Sequence, residues 1–363
     1  MLTKAYVFID LPPPHHDPVL ARLAVTDGSA EQYTYDPGYL LRSDALALDP
    51  LHLPLSPDTF TILGNQGVPT ALLDAGPDTW GRKLMQAFHR HQPANKLEAL
   101  LATRGTGVSA LRFSLSRTRP AARPTFPILA YLNAIKANIT QITQCITDEK
   151  VSSELQRLFE PGCSMGGARP KTVVQDDASR LWIAKLNRSD DSFDQAKAEQ
   201  MCFLMMRDLG IRCCNTQLHE IADQSVLLVE RFDHTPGQCR RHFISAHALL
   251  YQHRVKAEEV AYRFSYPRLA EIVSCLCVNA QDDKRELFKR MVFNALVSNT
   301  DDHLRNHGFL LVPGTSRYTL APAYDVVPQS SPRRLHAIGL GKTGVRCLTL
   351  TSSPHIHSSV WMK

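Results

Sequence analysis

The sequence predicts an α+β fold that is rich in strands at its start and rich in helices towards its end. Short apolar stretches bounded by proline, glycine or polar residues occur within residues 6–35 and 108–115, as expected for short strands joined by turns. Apolar side chains recur at helical spacing in residues 269–277 and 285–297. Strand and helix patterns alternate between these regions, so no single class of element accounts for the chain.

Capping residues and apolar periodicity predict the individual elements. Ser192 and Gln195 form a capping box for a central helix, and Gly210 is a natural stop for it. Four apolar residues recur at helical spacing within that helix: Met201, Leu204, Met205 and Leu209. Strands are expected at residues 6–9, 19–25, 33–35, 108–115, 172–174, 181–185, 216–221 and 225–230. Other helical patterns lie at residues 80–88, 96–102, 128–146, 269–277 and 285–297.

Composition is that of an ordinary globular protein, with 44% hydrophobic and 21% charged residues in a chain of 363. No apolar run approaches the roughly 18 residues of a membrane span, so we expect a cytoplasmic protein without a membrane segment. The formal charge of +6 is spread along the chain, which permits weak attraction to nucleic acid without arguing for it. The nine cysteines lack a C-x-x-C pair, which argues against a zinc ribbon or a secreted disulfide framework.

Three polar residues towards the end of the chain have the spacing of a phosphoryl-transfer site. Asp301 and Asn306 match the D-x-x-x-x-N pattern of a kinase catalytic loop, in which the carboxylate accepts the proton of the incoming hydroxyl and the amide reaches a metal ion. Asp325 follows in an apolar stretch ahead of Pro328, where a carboxylate can be held against the same metal. A turn-forming aspartate is the alternative for Asp325. The order of the three residues favours an ATP-dependent kinase that uses Mg²⁺.

Lys185 is the candidate lysine for the ATP phosphates. It closes the predicted strand at residues 181–185 and precedes the helix that bears Glu199, an order that allows a strand-to-helix ion pair of the kinase type. Each residue also fits a plainer position, since lysines often end strands in solvent and glutamates often line exposed helix faces.

A glycine-rich turn precedes this strand. Gly166, Gly167 and Ala168 match neither G-x-G-x-x-G nor the P-loop spacing, and a simple turn explains them as well. A turn of this composition nevertheless lets backbone N–H groups approach phosphate, and Arg169 and Lys171 add positive charge beside it. The turn is therefore a candidate nucleotide-binding segment.

Two histidines lie within or beside the predicted catalytic loop. His303 and His307 are four residues apart, which suggests a zinc site, but no H-E-x-x-H glutamate or third ligand is evident in the sequence. We expect His303 to belong to the catalytic set and to brace the loop by hydrogen bonding. His307 is expected to be structural.

Four motifs in order resemble the HipA family of toxin kinases, at residues 164–172, 228–233, 299–309 and 324–325. Residues 60–84 and 107–113 also resemble the N-terminal β-rich subdomain of that family, so the resemblance covers most of residues 1–345. It implies a divergent, lipid-kinase-like fold of two lobes. The expected regions are the N-terminal β-rich subdomain at 1–118, the kinase N-lobe with Gly-rich loop and hinge at 119–235, and a mainly helical C-lobe at 236–363.

The resemblance implies a serine/threonine protein kinase that uses ATP and Mg²⁺. By position, Asp301 would be the catalytic base, Asn306 and Asp325 the magnesium ligands, and Lys185 the lysine on the phosphates. The hinge whose backbone binds adenine would contain Glu230 and Phe232.

The resemblance also implies regulation. Ser164 matches the serine that the family autophosphorylates to inactivate itself, because a dianion at that position would repel ATP and displace the loop.

Partners and the end of the chain follow from the same resemblance. The family implies a small helix-turn-helix antitoxin, HipB-like, through which operator DNA is contacted only indirectly, and a protein substrate such as an aminoacyl-tRNA synthetase. Residues 347–357 lack the helical period with which the family continues, so we expect a truncated C-lobe. Two alternatives stay open: an inactive relative that only binds an antitoxin, and a small-molecule or lipid kinase of similar fold.

Overall fold

The computed structural model describes residues 4–10, 19–24, 32–89, 92–122, 124–138, 152–164, 167–221, 224–235, 239–251, 257–329 and 335–341. The chain divides into two compact units, one of Met1–Ser192 with Gln217–Phe243 and one of Phe193–Thr216 with Ile244–Lys363. The boundaries of the three regions predicted from the sequence stay predictions. Gly166 and residues 342–363, on which the predicted truncation depends, lie outside the described residues.

The first unit opens with an antiparallel sheet. Its strands are β1 (Lys4–Ile9), β2 (Val19–Ala24), β3 (Gln32–Tyr35), β4 (Phe60–Thr61) and β5 (Leu111–Ser114), in the spatial order β4-β3-β2-β1-β5. Tyr33 and Tyr35 project from the same face of β3, and their rings pack edge to face with centroids 5.1 Å apart. The Tyr35 hydroxyl donates to the Leu53 carbonyl at 2.7 Å. This apolar layer confirms the predicted β-rich opening.

Short helices accompany this sheet and the next. They are α1 (Pro37–Leu40), α2 (Thr70–Leu73), α3 (Thr79–His89), α4 (Lys96–Ala102), α5 (Leu132–Ala137) and α6 (Ser153–Phe159). Asn95 caps α4 by accepting from the Glu98 amide at 2.8 Å, and Ser152 caps α6 in the same way. The helix predicted at 96–102 is confirmed. Part of the helical pattern predicted at 128–146 lies outside the described residues.

A second antiparallel sheet completes the first unit. It contains β6 (Lys171–Gln175), β7 (Leu181–Leu186), β8 (Thr216–Ile221) and β9 (Gln224–Glu230), in the order β6-β7-β9-β8, and a small ladder of β10 (His234–Thr235) and β11 (Cys239–Arg240) follows. Trp80, Phe159 and Trp182 are buried in the core beneath the sheet. The Trp80 indole also donates to the Lys171 carbonyl at 2.9 Å, which ties α3 to the start of β6.

The second unit is mainly helical. Its elements are α7 (Gln195–Asp208), α8 (Ala246–Leu250), α9 (Ala257–Arg263), α10 (Tyr266–Leu276), α11 (Ala280–Leu296) and a three-stranded sheet of β12 (Phe243–Ser245), β13 (Gly308–Leu311) and β14 (Tyr318–Leu320). Among the described residues, no helix combines the length and apolar character needed to cross a membrane. The helices predicted at 269–277 and 285–297 are confirmed as α10 and α11.

Helix α7 corrects two details of the sequence prediction. Its N-cap is Asp194, which accepts from the Lys197 amide at 3.0 Å, so the predicted capping box of Ser192 and Gln195 is wrong. The four residues whose spacing predicted the helix form its outer face, each at least 39% exposed: Met201, Leu204, Met205 and Leu209. The buried face instead carries Ala196, Glu199, Cys202, Phe203 and Met206. Periodicity located the helix but did not identify the side that packs.

A buried arginine fixes α11 against the chain that follows β14. Arg290 donates to Glu286 at 2.8 Å, to the Ala321 carbonyl at 2.8 Å and to the Arg212 carbonyl at 3.0 Å. The guanidinium group thus satisfies one carboxylate and two backbone acceptors at once, as a buried charge requires. This contact attaches α11 to the residues that follow α7 and β14.

We expect Gly81→Ala to destabilise the first unit. Gly81 lies at the start of α3, where an added Cβ would overlap the carbonyl oxygen of Cys163, a backbone atom that a rotamer change cannot move. Overpacking of this kind costs roughly 1–3 kcal/mol, measured as the change in free energy of urea unfolding. Gly341→Ala is the matched control, since its Cβ would meet nothing within 4 Å, and should change stability by less than about 0.5 kcal/mol. Equal effects of the two substitutions would contradict the close approach.

Candidate active site

The loop after α11 carries the predicted catalytic residues. Ser298 adopts a left-handed conformation with φ of 57°, and the Asn299 amide donates to the Asn294 carbonyl at 2.8 Å, which ends the helix. The chain then passes through Asp301 into a single 3-10 turn at Leu304–Asn306 and enters β13. The predicted D-x-x-x-x-N motif therefore lies on an ordered turn between a helix and a strand.

Asp301 and Asn306 are joined through the backbone of this turn. The Asn306 amide donates to the His303 carbonyl at 2.8 Å, and its side-chain NH₂ donates to the Asp301 carbonyl at 3.2 Å. Asn306 is buried. Because the NH₂ group is used inside the loop, the side-chain oxygen of Asn306 is oriented away from it as an acceptor.

Asp325 lies close enough to Asp301 to influence its ionisation. It has φ of 59°, a conformation that non-glycine residues adopt rarely and mainly at functional sites. The preceding Tyr324 donates its hydroxyl to the Arg305 carbonyl at 2.7 Å, which attaches this segment to the loop. Asp301, Asn306 and Asp325 thus lie in one region of the second unit, and the roles predicted for them stay predictions.

The ionisation of Asp301 is perturbed by its surroundings. Although the residue is exposed, partial desolvation raises the pKa of the Asp301 carboxyl above its usual range, and the negative charges of Asp325 and Asp302 raise it further against the opposing effect of His303. A carboxylate whose pKa is raised by a neighbouring carboxylate lies at a natural cation site, because a bound cation relieves the repulsion between the two charges.

These residues fit a magnesium ion. Mg²⁺ takes oxygen ligands, commonly one or two carboxylates, and fills its other positions with water and substrate phosphate. No group of three or more His, Cys, Asp or Glu side chains in the described part of the chain has a metal-ligating arrangement. Besides Asp325 and Asn306, such an ion would therefore depend on water and phosphate oxygens, the pattern of an ion that arrives with a nucleotide.

His307 has the structural position predicted for it, whereas the bracing hydrogen bond expected of His303 is made by His307 instead. The Nδ1 atom of His303 is buried and makes no hydrogen bond to any described residue. His307 instead pairs through Nε2 with a buried Asp302 at 2.8 Å, so His307 braces the loop. Asp302, which does not fit the D-x-x-x-x-N spacing, and Tyr266, which donates to it, are residues that the sequence did not predict for this loop. Tyr266 carried no local signal, because it reaches the loop from α10.

Lys185 lies in the second sheet of the first unit. It is the penultimate residue of β7, half-buried, and it faces Lys171 of β6 directly in the antiparallel register. Lys171 is buried, and its charge acts on Asp78 at the start of α3. Like charges directly opposite each other on a sheet are destabilising. The repulsion between Lys171 and Lys185 would be relieved by an anion with several negative charges bound between them.

The glycine-rich turn sits beside these lysines. Gly167 has φ of 100°, so the turn needs glycine for its conformation, and a Cβ there would meet only the flexible end of the Lys171 side chain. Ala168 is exposed. Arg169 forms a two-bond pair with Asp191 at 2.6 and 2.7 Å, so the charge predicted beside the turn is balanced within the unit.

Ser164 is buried at the start of this turn. Its hydroxyl lies 2.5 Å from the Thr106 hydroxyl, which in turn donates to the Thr103 carbonyl at 2.8 Å. A serine in this arrangement is not accessible to a second protein. Any chemistry at Ser164 requires the turn to leave this position first.

The predicted hinge follows β9. Glu230 is the last residue of that strand and stands opposite Trp182 in the register with β7. Phe232 is half-buried, with its ring centroid 5.5 Å from that of Phe243. Their assignment to adenine binding stays a prediction.

A buried ion pair fixes the hinge segment. Arg231 donates to Asp233 at 2.7 and 3.0 Å and to the carbonyls of Thr106 and Gly107 at 2.9 and 3.0 Å. Burial alone would raise the pKa of Asp233, but the charges of Arg231 and His234 hold it well below its usual range. Arg231 and Asp233 lie in the motif at residues 228–233, but no role for this ion pair was predicted from the sequence. The signal was two opposite charges directly after an apolar strand.

Glu199 is buried on α7 in the second unit, which excludes the solvated helix face as its position. Lys185 belongs to the first unit. The ion pair between them stays a prediction.

Comparisons with known proteins agree with this architecture. A sequence model of the HipA-like C-terminal domain matches residues 163–355, more than half of the chain. A candidate kinase of Haemophilus influenzae is 26% identical over 188 residues, which cover 47% of this chain and 54% of that protein. The serine/threonine-protein kinase toxin HipA of Shewanella oneidensis is 29% identical over 193 residues, which cover 46% of this chain and 43% of that protein. The chain thus spans about half the length of these curated relatives.

The solved structure of Shewanella oneidensis HipA with HipB and operator DNA shares the fold. It superposes with a TM-score of 0.64 at 19% identity, over 92% of this chain and 80% of that chain. An α+β, kinase-like fold and a family-specific second half define the class of protein. The chain belongs to the HipA family, which confirms the fold class and the resemblance drawn from the sequence.

We expect Asp301→Asn to stabilise the metal-free protein at neutral pH. Because folding raises the pKa of Asp301, its charged form is disfavoured in the folded state. The stability cost is absent below the unfolded pKa of about 3.9 and develops as pH rises through the folded pKa. The variant should therefore melt above the parent at pH 7 to 8 and converge with it near pH 4.

The control for this prediction is Asp177→Asn, at an exposed turn position in the first unit. It removes one negative charge without touching the loop and should shift melting little at either pH. Excess MgCl₂ should reduce the difference between Asp301→Asn and the parent. A variant that melts below the parent at pH 8 without metal would contradict the repulsion between Asp301 and Asp325.

Proposed function

We propose that the protein is a HipA-like toxin and an ATP-dependent serine/threonine protein kinase, which transfers the γ-phosphate of ATP to a protein hydroxyl. The observation that supports this most is the grouping of Asp301, Asn306 and Asp325 in one hydrogen-bonded loop region, with a raised pKa at Asp301. Phosphoryl transfer depends mainly on positioning and charge neutralisation, which these residue types supply.

Each residue has a definite part in the proposed reaction. Asp301 accepts the proton of the attacking hydroxyl, and its raised pKa makes it a better base than an ordinary carboxylate. Asn306 and Asp325 hold Mg²⁺, which when bound neutralises charge on the phosphates. Lys185 contacts the phosphates. Asn306 also keeps the Asp301 backbone in place through its side-chain NH₂ group.

The remaining nucleotide contacts belong to the first unit. We assign the phosphates also to Lys171 and to the turn of Gly166, Gly167 and Ala168. The Lys171–Lys185 pairing across β6 and β7 supports an anionic ligand there. Backbone groups of Glu230 and Phe232 would bind adenine, at a hinge that the buried Arg231–Asp233 pair keeps rigid.

Partner, substrate and location are assigned by analogy with relatives. The Shewanella oneidensis structure contains HipB and operator DNA, which supports a small HipB-like antitoxin as partner and an indirect contact with DNA. A relative is named as a serine/threonine-protein kinase toxin, which supports a protein substrate. A cytoplasmic location and an aminoacyl-tRNA synthetase as substrate are proposed from the family resemblance of the sequence alone.

Self-inactivation at Ser164 is part of the proposal. A phosphate cannot occupy the buried site beside Thr106 without displacing the turn, since a dianion there would be desolvated. Phosphorylated Ser164 would therefore hold the turn outside its present position and remove it from the nucleotide.

Purified protein with labelled ATP and MgCl₂ should label itself or proteins in a cytosolic extract, with aminoacyl-tRNA synthetases as the first candidates. Asp301→Asn should lower the rate by at least about 100-fold, since loss of a general base typically costs that much. Asp177→Asn is the control for charge and should retain the parent rate. MgATP at about 100 times its Kd should add roughly 2.7 kcal/mol of stability to the parent.

The outcomes separate the alternatives. A thermal shift with MgATP but no label on any protein, together with label on lipids or small molecules, would assign the enzyme to another acceptor class. Capture of an antitoxin without any shift by MgATP would favour a relative that only binds its partner. Equal labelling by the parent and Asp301→Asn would refute Asp301 as the base.

Thr106→Val should accelerate phosphorylation of Ser164. The substitution removes the hydroxyl that holds Ser164 in its buried position and keeps the side-chain volume. Loss of one hydrogen bond of about 0.5–1.5 kcal/mol raises the exposed fraction of Ser164 by about 2- to 12-fold. Thr103→Val is the control, because Thr103 is a buried neighbour whose hydroxyl bonds to Leu100 instead. Equal rates of Ser164 phosphorylation in the two variants, followed by intact mass, would contradict this role of Thr106.

A further inference from the structure

The carboxylate next to the proposed base is turned the opposite way. Asp301 is exposed, whereas Asp302 is buried with only 2% of its surface accessible. Asp302 accepts hydrogen bonds from the Tyr266 hydroxyl, from His307 Nε2 at 2.8 Å and from the Asn294 side chain. A buried carboxylate is costly unless donors match it, and here three donors from separate segments do so.

The donors connect the loop to two helices. Tyr266 opens α10, whose N-cap is Ser265, and Asn294 lies near the end of α11. The Tyr266 ring also packs edge to face against His307, with centroids 5.4 Å apart. Helices α10 and α11 therefore both contact the loop through the carboxylate of Asp302.

The other end of the loop is attached as well. His307 follows the 3-10 turn, and its carbonyl accepts from the Ala246 amide at 2.9 Å. Asn294 also accepts from the Asn299 side chain at 3.1 Å, at the start of the loop. The segment between Asn299 and His307, which contains Asp301 and Asn306, is thus fixed on both sides by one set of contacts.

Geometry excludes a direct part for Asp302 in proton transfer. Its oxygens are occupied by Tyr266, His307 and Asn294 in the interior, so it does not face a substrate. Asp301 is exposed directly beside the buried Asp302, so the inward anchor of Asp302 limits the directions that the Asp301 side chain can take.

We infer that Asp302, Tyr266 and His307 form a positioning cluster that orients Asp301 and Asn306, with the Tyr266 hydroxyl as the contact that links α10 to the loop. The inference depends on the proposed function for its effect on catalysis, but not for its effect on the loop. A misplacement of about 1 Å at a reacting group can cost on the order of 100-fold in rate.

The test is Tyr266→Phe, which removes one hydroxyl from the cluster and keeps the ring. Its matched control is Tyr262→Phe, because Tyr262 lies in the same unit and donates its hydroxyl to Glu271, outside the cluster. We expect Tyr266→Phe to lower kcat by about 10- to 100-fold with KM for ATP changed less than about 2-fold. The control should keep both constants.

A cycle with the proposed base separates positioning from a general loss of stability. If Tyr266 acts through Asp301, Tyr266→Phe should lower the residual rate of Asp301→Asn by less than about 2-fold, since residues that act as a unit are not additive. An additive loss in the double variant would overturn the inference. Should Tyr266→Phe fail to fold, His307→Gln, which retains a side-chain donor, serves in the same cycle.

Hydrogen exchange gives a readout that needs no activity. The Asn306 amide bonds to the His303 carbonyl at 2.8 Å within the turn, so its exchange reports opening of the loop. Tyr266→Phe should accelerate this exchange by about 10-fold, and Tyr262→Phe should not, as expected for loss of about 1.4 kcal/mol of local stability. Accelerated exchange in Tyr266→Phe, together with an absence of kinase activity in the parent, would support the cluster and refute the proposed function. Unchanged exchange would refute the cluster itself.

Discussion

A carboxylate removed from water must be matched by donors, and the second unit is built around one that is. Asp302 accepts hydrogen bonds from Tyr266, His307 and Asn294. Any other arrangement of the loop would leave this buried carboxylate without donors, so the observed arrangement is strongly favoured. Burial alone would raise the pKa of Asp302, but the charge and hydrogen bond of His307 with the bonds of Tyr266 and Asn294 keep it below its usual range. Asp302 remains ionised inside the protein, and the chain around it is held by that charge.

The first unit also contains a buried charge that is matched by its neighbours, the guanidinium group of Arg231. Arg231 joins Asp233 to the carbonyls of Thr106 and Gly107, while the Thr106 hydroxyl contacts Ser164. One short segment of the chain therefore supports both the turn that contains Ser164 and the strand end that precedes the predicted hinge. Removing either partner of such a buried pair leaves a charge without compensation, which typically costs 3–5 kcal/mol. Thr106 and Gly107 precede β5 of the N-terminal sheet, and they contact Ser164 and Arg231, which lie far from them in sequence but in the same unit.

How far the sequence could predict this structure depended on the range of the interaction involved. An element with clear local signals, such as α4, was placed at its observed residues because capping, propensity and core burial agree there. The face of α7 could not be predicted, because Met201 and Leu204 are as apolar as the residues that pack. In the candidate site, the sequence spacing was enough to place Asp301 and Asn306 in the same loop, because both residues lie on one turn. The contact of Tyr266 with Asp302 was beyond reach, because only the tertiary fold brings α10 to the loop.

Asp301 is the exception to the constraint that governs Asp302, and the contrast explains the proposed chemistry. Its carboxyl is partly desolvated, and the charge of Asp325 adds to the cost of ionising it, so the pKa of Asp301 is raised rather than lowered. Asp325 contributes a strained backbone, with φ of 59°, to the same place. A stable fold would remove both penalties, and the protein keeps them beside Asp302, a carboxylate that is matched by donors. A cation relieves the repulsion, and a proton relieves it as well. The features that make this corner of the protein less stable are therefore those on which the proposed Mg²⁺ binding and the proposed base role of Asp301 depend.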